Sequence, residues 1–166
     1  YCSQCDFRNG ETKWSKAPMY RKVLIATDGS ELGDSAVEHG LLLAKAVKAD
    51  VMVVTVTEAW SPLNAAGEAD LGNFDAVKLY EDAAERAADA ILKRATNRAQ
   101  SMEIAAETRH VMDRRAAEGI LETAKLEDCD LIVMVSHGRR GLQKVLMGSQ
   151  TSEVVTLSDR PVLVVR

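Results

Sequence analysis

The sequence predicts an α/β fold: a single-domain, doubly wound parallel sheet with helices on both faces. Three observations predict it. From residue 22 onward, short apolar β-branched runs alternate with longer segments of helical periodicity. The runs are apolar along their length, as in strands buried on both faces. The helical segments each carry one apolar stripe, as helices packed on a sheet do. The chain has 166 residues, 46% hydrophobic and 28% charged, which suits one globular domain with a real core.

Each element follows from its residues. Residues 22–27 (K-V-L-I-A-T) read as the first strand, ending in the turn-like D-G-S. A helix over 30–49 follows, with Ser30 as N-cap and Ala36, Val37, Gly40, Leu41, Leu43, Ala44 and Val47 on one face. Residues 51–57 (V-M-V-V-T-V-T) form a second buried strand. Residues 58–74, with Pro62, Gly67 and Gly72, read as a long loop. An alanine-rich helix spans 75–99 with Leu79, Ala83, Ala87, Ile91 and Ala95 as its stripe. Residues 103–112 make a weaker third strand. A helix over 114–127 turns Ala117, Ile120, Leu121 and Ala124 inward. The fourth strand is 130–135 (D-L-I-V-M-V), a last helix spans 150–157, and 161–165 (P-V-L-V-V) is a short final strand.

Residues 1–18 differ from the rest: polar, aperiodic and closed by Pro18. They are expected to be an upstream extension, and 19–166 the folded domain. Cys2 and Cys5 form a C-x-x-C pair. No second pair completes a zinc ribbon, and no strand and helix flank it as in a thioredoxin-like motif. Cys129 reads as a small, partly buried side chain. The net charge of −4 argues against a general binder of nucleic acid or anionic membrane. No apolar run nears the roughly 20 residues that span a bilayer, so a cytoplasmic protein is expected.

The most informative stretch is 136–149, S-H-G-R-R-G-L-Q-K-V-L-M-G-S. A buried strand opens into a glycine-bearing basic loop that closes on Gly148-Ser149 at a helix start. Glycines let the backbone approach an anion, and free N–H groups at a helix N-terminus attract negative charge. In a doubly wound sheet ligands bind beyond the strand carboxyl ends, where strand order switches. Thr27-Asp28 ends the first strand at the same sheet edge. An acid there can accept a ribose hydroxyl or hold a metal with phosphate, or it can serve the D-G-S turn. His137 can contact phosphate, shuttle a proton, or bond to backbone. Arg139, Arg140 and Lys144 can pair with phosphates, and Arg140 and Lys144 equally suit a solvated surface. His39 and His110 have no evident partner in the sequence and receive no role. Ser136 lies outside a G-x-S-x-G elbow, which excludes a hydrolase nucleophile of that kind.

Three ordered motifs, M-Y-R-K-V-L-I-A-T-D-G-S, the 136–149 stretch and R-P-V-L-V-V-R, resemble the universal stress protein family over residues 19–166. The resemblance implies a five-stranded Rossmann-like parallel sheet with strand order 3-2-1-4-5. It implies a homodimer paired through the C-terminal strand. Its ATP-binding branch carries G-x-x-G, nine residues, then G-S or G-T. Gly138, Gly148 and Ser149 match, and Val135 stands in place of the first glycine, where bulk and the cost of positive φ are expected to matter. By resemblance, Ala26, Thr27 and Asp28 line an adenine nucleotide, with Asp28 near ribose or a Mg or Mn ion. Val56 meets adenine through its backbone, and Gly138, Arg139, Gly148, Ser149, Gln150 and Thr151 hold phosphates, near Val135 and His137.

Two functions follow. One is an ATP-binding stress or signalling module that is at most a slow ATPase, since no G-x-x-x-x-G-K-[ST] loop and no poised base is evident. The other is a nucleotide-free homodimeric stress or chaperone-like protein, which Val135 favours. A phospho-acceptor regulator would need an acidic pair after the first strand and an Asp ending the third, and the residues there are Thr27-Asp28 and 110–112.

Overall fold

The computed structural model describes residues 18–58, 74–112, 114–137 and 147–166. Among the described residues five strands and four helices alternate: β1 (Lys22–Ala26), α1 (Glu31–Val47), β2 (Asp50–Thr57), α2 (Phe74–Ser101), β3 (Ala106–Met112), α3 (Ala116–Leu126), β4 (Leu131–Val135), α4 (Ser149–Leu157) and β5 (Val162–Val165). All strand pairs are parallel, in the order β3-β2-β1-β4-β5. The predicted fold class and strand order are thus observed. The loop expected at 58–74 lies almost wholly outside the described residues, as do 1–17 and 138–146.

Side-chain alternation sorts the strands into two cores. Val23, Ile25, Val51, Val53, Leu131, Val133, Val135 and Val165 pack against α1 and α2. Leu24, Ala26, Met52, Val54, Ile132 and Met134 pack against α3 and α4. The central strands are buried on both faces, whereas β3, at the edge, mixes half-buried and exposed residues. Its weaker signal in the sequence is therefore an edge effect.

The stripe expected on α2 is only half right. Ile91 and Ala95 are buried, but Leu79, Ala83 and Ala87 are exposed, and Ala88, Leu92 and Ala99 take their place in the core. A strict four-residue repeat on a helix of 3.6 residues per turn drifts by about 40° per step. The real stripe mixes three- and four-residue steps and stays facing the sheet.

Three helices end in the same way. Ala49, Ile104 and Cys129 each donate their N–H to the carbonyl five residues back, on Ala44, Ala99 and Ala124, at 2.9 Å. The residue before each, Lys48, Glu103 or Asp128, has φ of 59°, 59° or 51°. This is the Schellman closure, with a buried alanine as acceptor and an apolar residue locking the exit. It aims α1, α2 and α3 straight into β2, β3 and β4. The left-handed position is filled by a residue with a Cβ, at a cost of roughly 1 kcal/mol. Glu103→Gly should therefore raise stability by about 0.5–1 kcal/mol in urea unfolding. A loss of stability would show that the Glu103 side chain contributes to the fold.

Candidate functional site

The site begins where the central pair of strands separates. The β1–β4 ladder runs from Val23–Leu131 to Ile25–Val133. Beyond it the two chains bond away from each other. Thr27 donates its N–H to Val54 O of β2 (3.0 Å), and Ser136 donates its N–H to Val165 O of β5 (2.8 Å). A crevice opens between the carboxyl ends of β1 and β4, at the switch in strand order.

One wall is the turn that follows β1. Asp28 Oδ1 accepts from the Ser30 N–H (3.1 Å) and the Ser30 hydroxyl (2.7 Å). Thr27 Oγ1 accepts from the Gly29 N–H (3.2 Å). Ser30 Oγ in turn accepts from the Gly33 N–H (3.0 Å), which makes Ser30 the N-cap of α1 as expected. Gly29 has φ of 75°, a left-handed conformation that glycine adopts freely. Asp28 thus has the turn role that its residue type favours, and the turn fixes its carboxylate at the crevice. Two residues that sequence patterns did not single out also touch this turn. A Cβ on Gly33 would lie 2.6 Å from Asp28 Oδ1 and 2.8 Å from Thr27 Oγ1. Arg94 of α2 donates to Gly29 O (2.7 Å). A glycine in the first turn of a helix is a weak sequence signal for such an approach. The Arg94 contact spans 65 positions and leaves none.

The opposite wall is the start of α4. Gly148 donates its N–H to Ser136 O (2.8 Å), and its Cα faces that carbonyl so closely that a Cβ would lie 3.2 Å from it. Loop closure alone therefore calls for a very small residue here. Gly148 as N-cap provides no side-chain acceptor, and α4 has no acidic residue in its first turn. By contrast α1 carries Glu31 and Asp34 there and α3 carries Glu118. The N-terminal N–H groups of a helix lack intrahelical partners, so α4 presents uncompensated positive potential beside exposed Ser149.

The remaining expected residues fall in distinct places. Ala26 and Thr27 are buried at the end of β1, and half-buried Val56 lies near the end of β2. Val135 is buried within the α1-side core and does not have positive φ, so its bulk is accommodated without strain. His137 Nδ1 meets Ser136 Oγ at 3.2 Å. Gln150 and Thr151 turn their side chains to the fold: Gln150 Oε1 accepts from the Ala117 N–H (2.8 Å), and Thr151 Oγ1 donates to Val135 O (2.9 Å). Their side chains are therefore engaged within the fold. Gly138, Arg139, Arg140 and Lys144 lie outside the described residues.

Other chemistries find little footing. Among the described residues, no group of three His, Cys, Asp or Glu side chains could hold a metal. Cys129 is fully buried rather than partly so, and burial pushes its thiol up to about 11, which keeps it protonated and unreactive. His39 and His110 do have partners: His39 Nδ1 lies 2.8 Å from Ser35 O, and His110 Nε2 lies 2.9 Å from Thr57 Oγ1. Among the described residues no helix is long and apolar enough to cross a membrane.

A parallel sheet whose strand order switches between β1 and β4, with helices on both faces, defines a Rossmann-like α/β domain. Comparison with known proteins gives the family. The family model described as "Universal stress protein family" matches residues 19–166, and the chain belongs to that family. The universal stress protein MJ0531 of Methanocaldococcus jannaschii is 31% identical over 160 residues, covering 96% of this chain and 86% of that one. The solved structure of MJ0577 from the same organism is 27% identical, with a TM-score of 0.67 over 89% of this chain and 96% of that one. A universal stress protein solved in complex with cAMP is 24% identical, with a TM-score of 0.62 over 89% of this chain and 97% of that one.

The Gln150 contact joins the two helices on one face of the sheet, since α3 has no cap from its own N-cap residue, Arg115. Gln150→Ala should leave the Ala117 N–H without its acceptor and lower stability by about 1–2 kcal/mol in urea unfolding. An unchanged midpoint would contradict the capping role.

Proposed function

We propose that the chain binds an adenine nucleotide, ATP, in the crevice between the carboxyl ends of β1 and β4, and hydrolyses it slowly or not at all. The observation that carries this reading is the acid-free N-terminus of α4, without a side-chain cap and tied to the end of β4 through the Gly148 N–H and Ser136 O, with the Asp28 turn at the end of the neighbouring strand β1. Phosphate oxygens supply the acceptors that α4 lacks. The Asp28 carboxylate, steadied by Ser30, suits a ribose hydroxyl or a divalent ion. Asp28 is the residue that would hold a Mg or Mn ion brought in with the nucleotide. When bound, it would neutralise phosphate charge.

Slow turnover follows from what surrounds the phosphates. Fast phosphoryl transfer needs a group that orients water in line. The described residue nearest that role is His137, and its bond among the described residues is to Ser136, with no carboxylate orienting it. The relative solved with cAMP shares this fold. The support for ATP in this chain comes from its own residues and from the match of Gly138, Gly148 and Ser149 to the nucleotide-binding branch.

A carboxylate at the start of α4 separates site from scaffold. Ser149→Glu should hold or slightly raise thermal stability, because acid at a helix N-terminus is favourable by about 0.3–1 kcal/mol. It should also weaken ATP binding by about tenfold or more in calorimetry, through repulsion of phosphate. Unchanged affinity in this variant would overturn the assignment.

We also infer a homodimer joined at β5, acting in the cytoplasm. The strand lies at the sheet edge, and Leu163 is 40% exposed upon it. An open apolar edge invites pairing, and a two-fold axis closes it. Light scattering at micromolar concentration should give a dimer mass, and Leu163→Lys should shift it toward monomer. A monomeric wild-type protein with intact fold contradicts this.

A further inference from the structure

The turn that carries Asp28 is held from outside by a second helix. Gly29 packs directly beneath α2: a Cβ there would lie 2.5 Å from Ile91 Cγ1 and 3.0 Å from Arg94 Nη2. Arg94 Nη2 donates both to Gly29 O (2.7 Å) and to Asp34 Oδ1 (3.2 Å) in the first turn of α1. One nitrogen therefore ties the turn, the helix it leads into and α2 together. One helical turn further on, Arg98 Nη2 meets Glu38 Oε1 at 2.6 Å, joining the same two helices without touching the turn.

These two contacts have the same ion-pair chemistry and similar exposure, with side chains about half exposed in both. Exposed ion pairs add little to stability. The difference between them is the carbonyl of Gly29. A backbone carbonyl in a left-handed turn can rotate with its peptide plane, and because that plane also holds the Ser30 N–H, the rotation would pull this donor away from Asp28 Oδ1 and release the carboxylate. The Arg94 bond opposes the rotation, while the Ser30 bonds to Asp28 hold the turn from within.

Resting on the nucleotide reading above, we propose that Arg94 is a positioning residue for the nucleotide-binding turn: it acts through Gly29 O to hold Asp28 at the crevice. It touches no ligand itself. Arg98 is its natural control, because it forms the sister ion pair and leaves the turn alone.

The test combines magnesium ATP titration of wild type, Arg94→Ala, Arg94→Lys and Arg98→Ala with amide hydrogen exchange over residues 29–33 in nucleotide-free protein. Arg94→Ala should weaken ATP binding by about fivefold and speed exchange in the turn by a similar factor, the scale of one net hydrogen bond. Arg98→Ala should leave both within about twofold of wild type, as expected for the loss of an exposed ion pair. Arg94→Lys should recover part of the loss, since its ammonium can still reach Gly29 O. Equal losses in the Arg94→Ala and Arg98→Ala variants, or no loss in either, would overturn the proposal. If wild type binds no ATP, the nucleotide reading fails, and the exchange data decide the positioning claim alone. Faster exchange confined to Arg94→Ala supports it, and unchanged exchange refutes it.

Discussion

Parallel strands share their hydrogen bonds with both neighbours, and the whole site depends on how β1 and β4 divide theirs. Inside the sheet they pair with each other. At their carboxyl ends Thr27 turns to β2 and Ser136 turns to β5. The separation follows from connectivity, since β1 feeds a helix leading to one side of the sheet and β4 feeds a helix leading to the other. The Asp28 turn hangs from one strand end and the α4 N-terminus from the other.

Each lip is built with small residues and reused polar groups. Ser30 caps α1 and also bonds Asp28. Gly33 leaves room for that carboxylate, and Gly148 leaves room for Ser136 O. Gln150 and Thr151 spend their side chains on α3 and on the end of β4, so α4 is anchored by its side chains at its first turn. Charge is distributed to match. Acidic residues occupy the first turns of α1 and α3, and α4 has none. The fold thus leaves one helix start electrostatically uncompensated where strand order switches.

Much of this was legible in the sequence because the central strands are short, β-branched apolar runs buried on both faces and alternate with longer segments of helical period. The element order, the strand boundaries near Ala26, Thr57, Met112 and Val135, and the Ser30 cap all follow from local pattern. Strand order came from the family motifs, since periodicity carries no information on it. The failures are also physical. The α2 stripe went wrong over Leu79, Ala83 and Ala87 because a four-residue repeat drifts around a helix. The roles of Gln150 and Arg94 were hidden because their partners, Ala117 and Gly29, are distant in the chain and offer backbone atoms, which every residue has. Val135, which stands where the resembling motif has its first glycine, shows in sequence only as an apolar residue ending a strand. In the fold it is a core residue at the end of β4.

The most direct test of the account is the nucleotide content of the purified protein. The protein should be incubated with magnesium ATP and passed through a desalting column. After denaturation, the supernatant is read by absorbance and mass spectrometry. The account predicts adenine nucleotide in the wild-type supernatant, mostly as intact ATP. A wild-type supernatant free of adenine nucleotide, from protein shown to be folded, would contradict it.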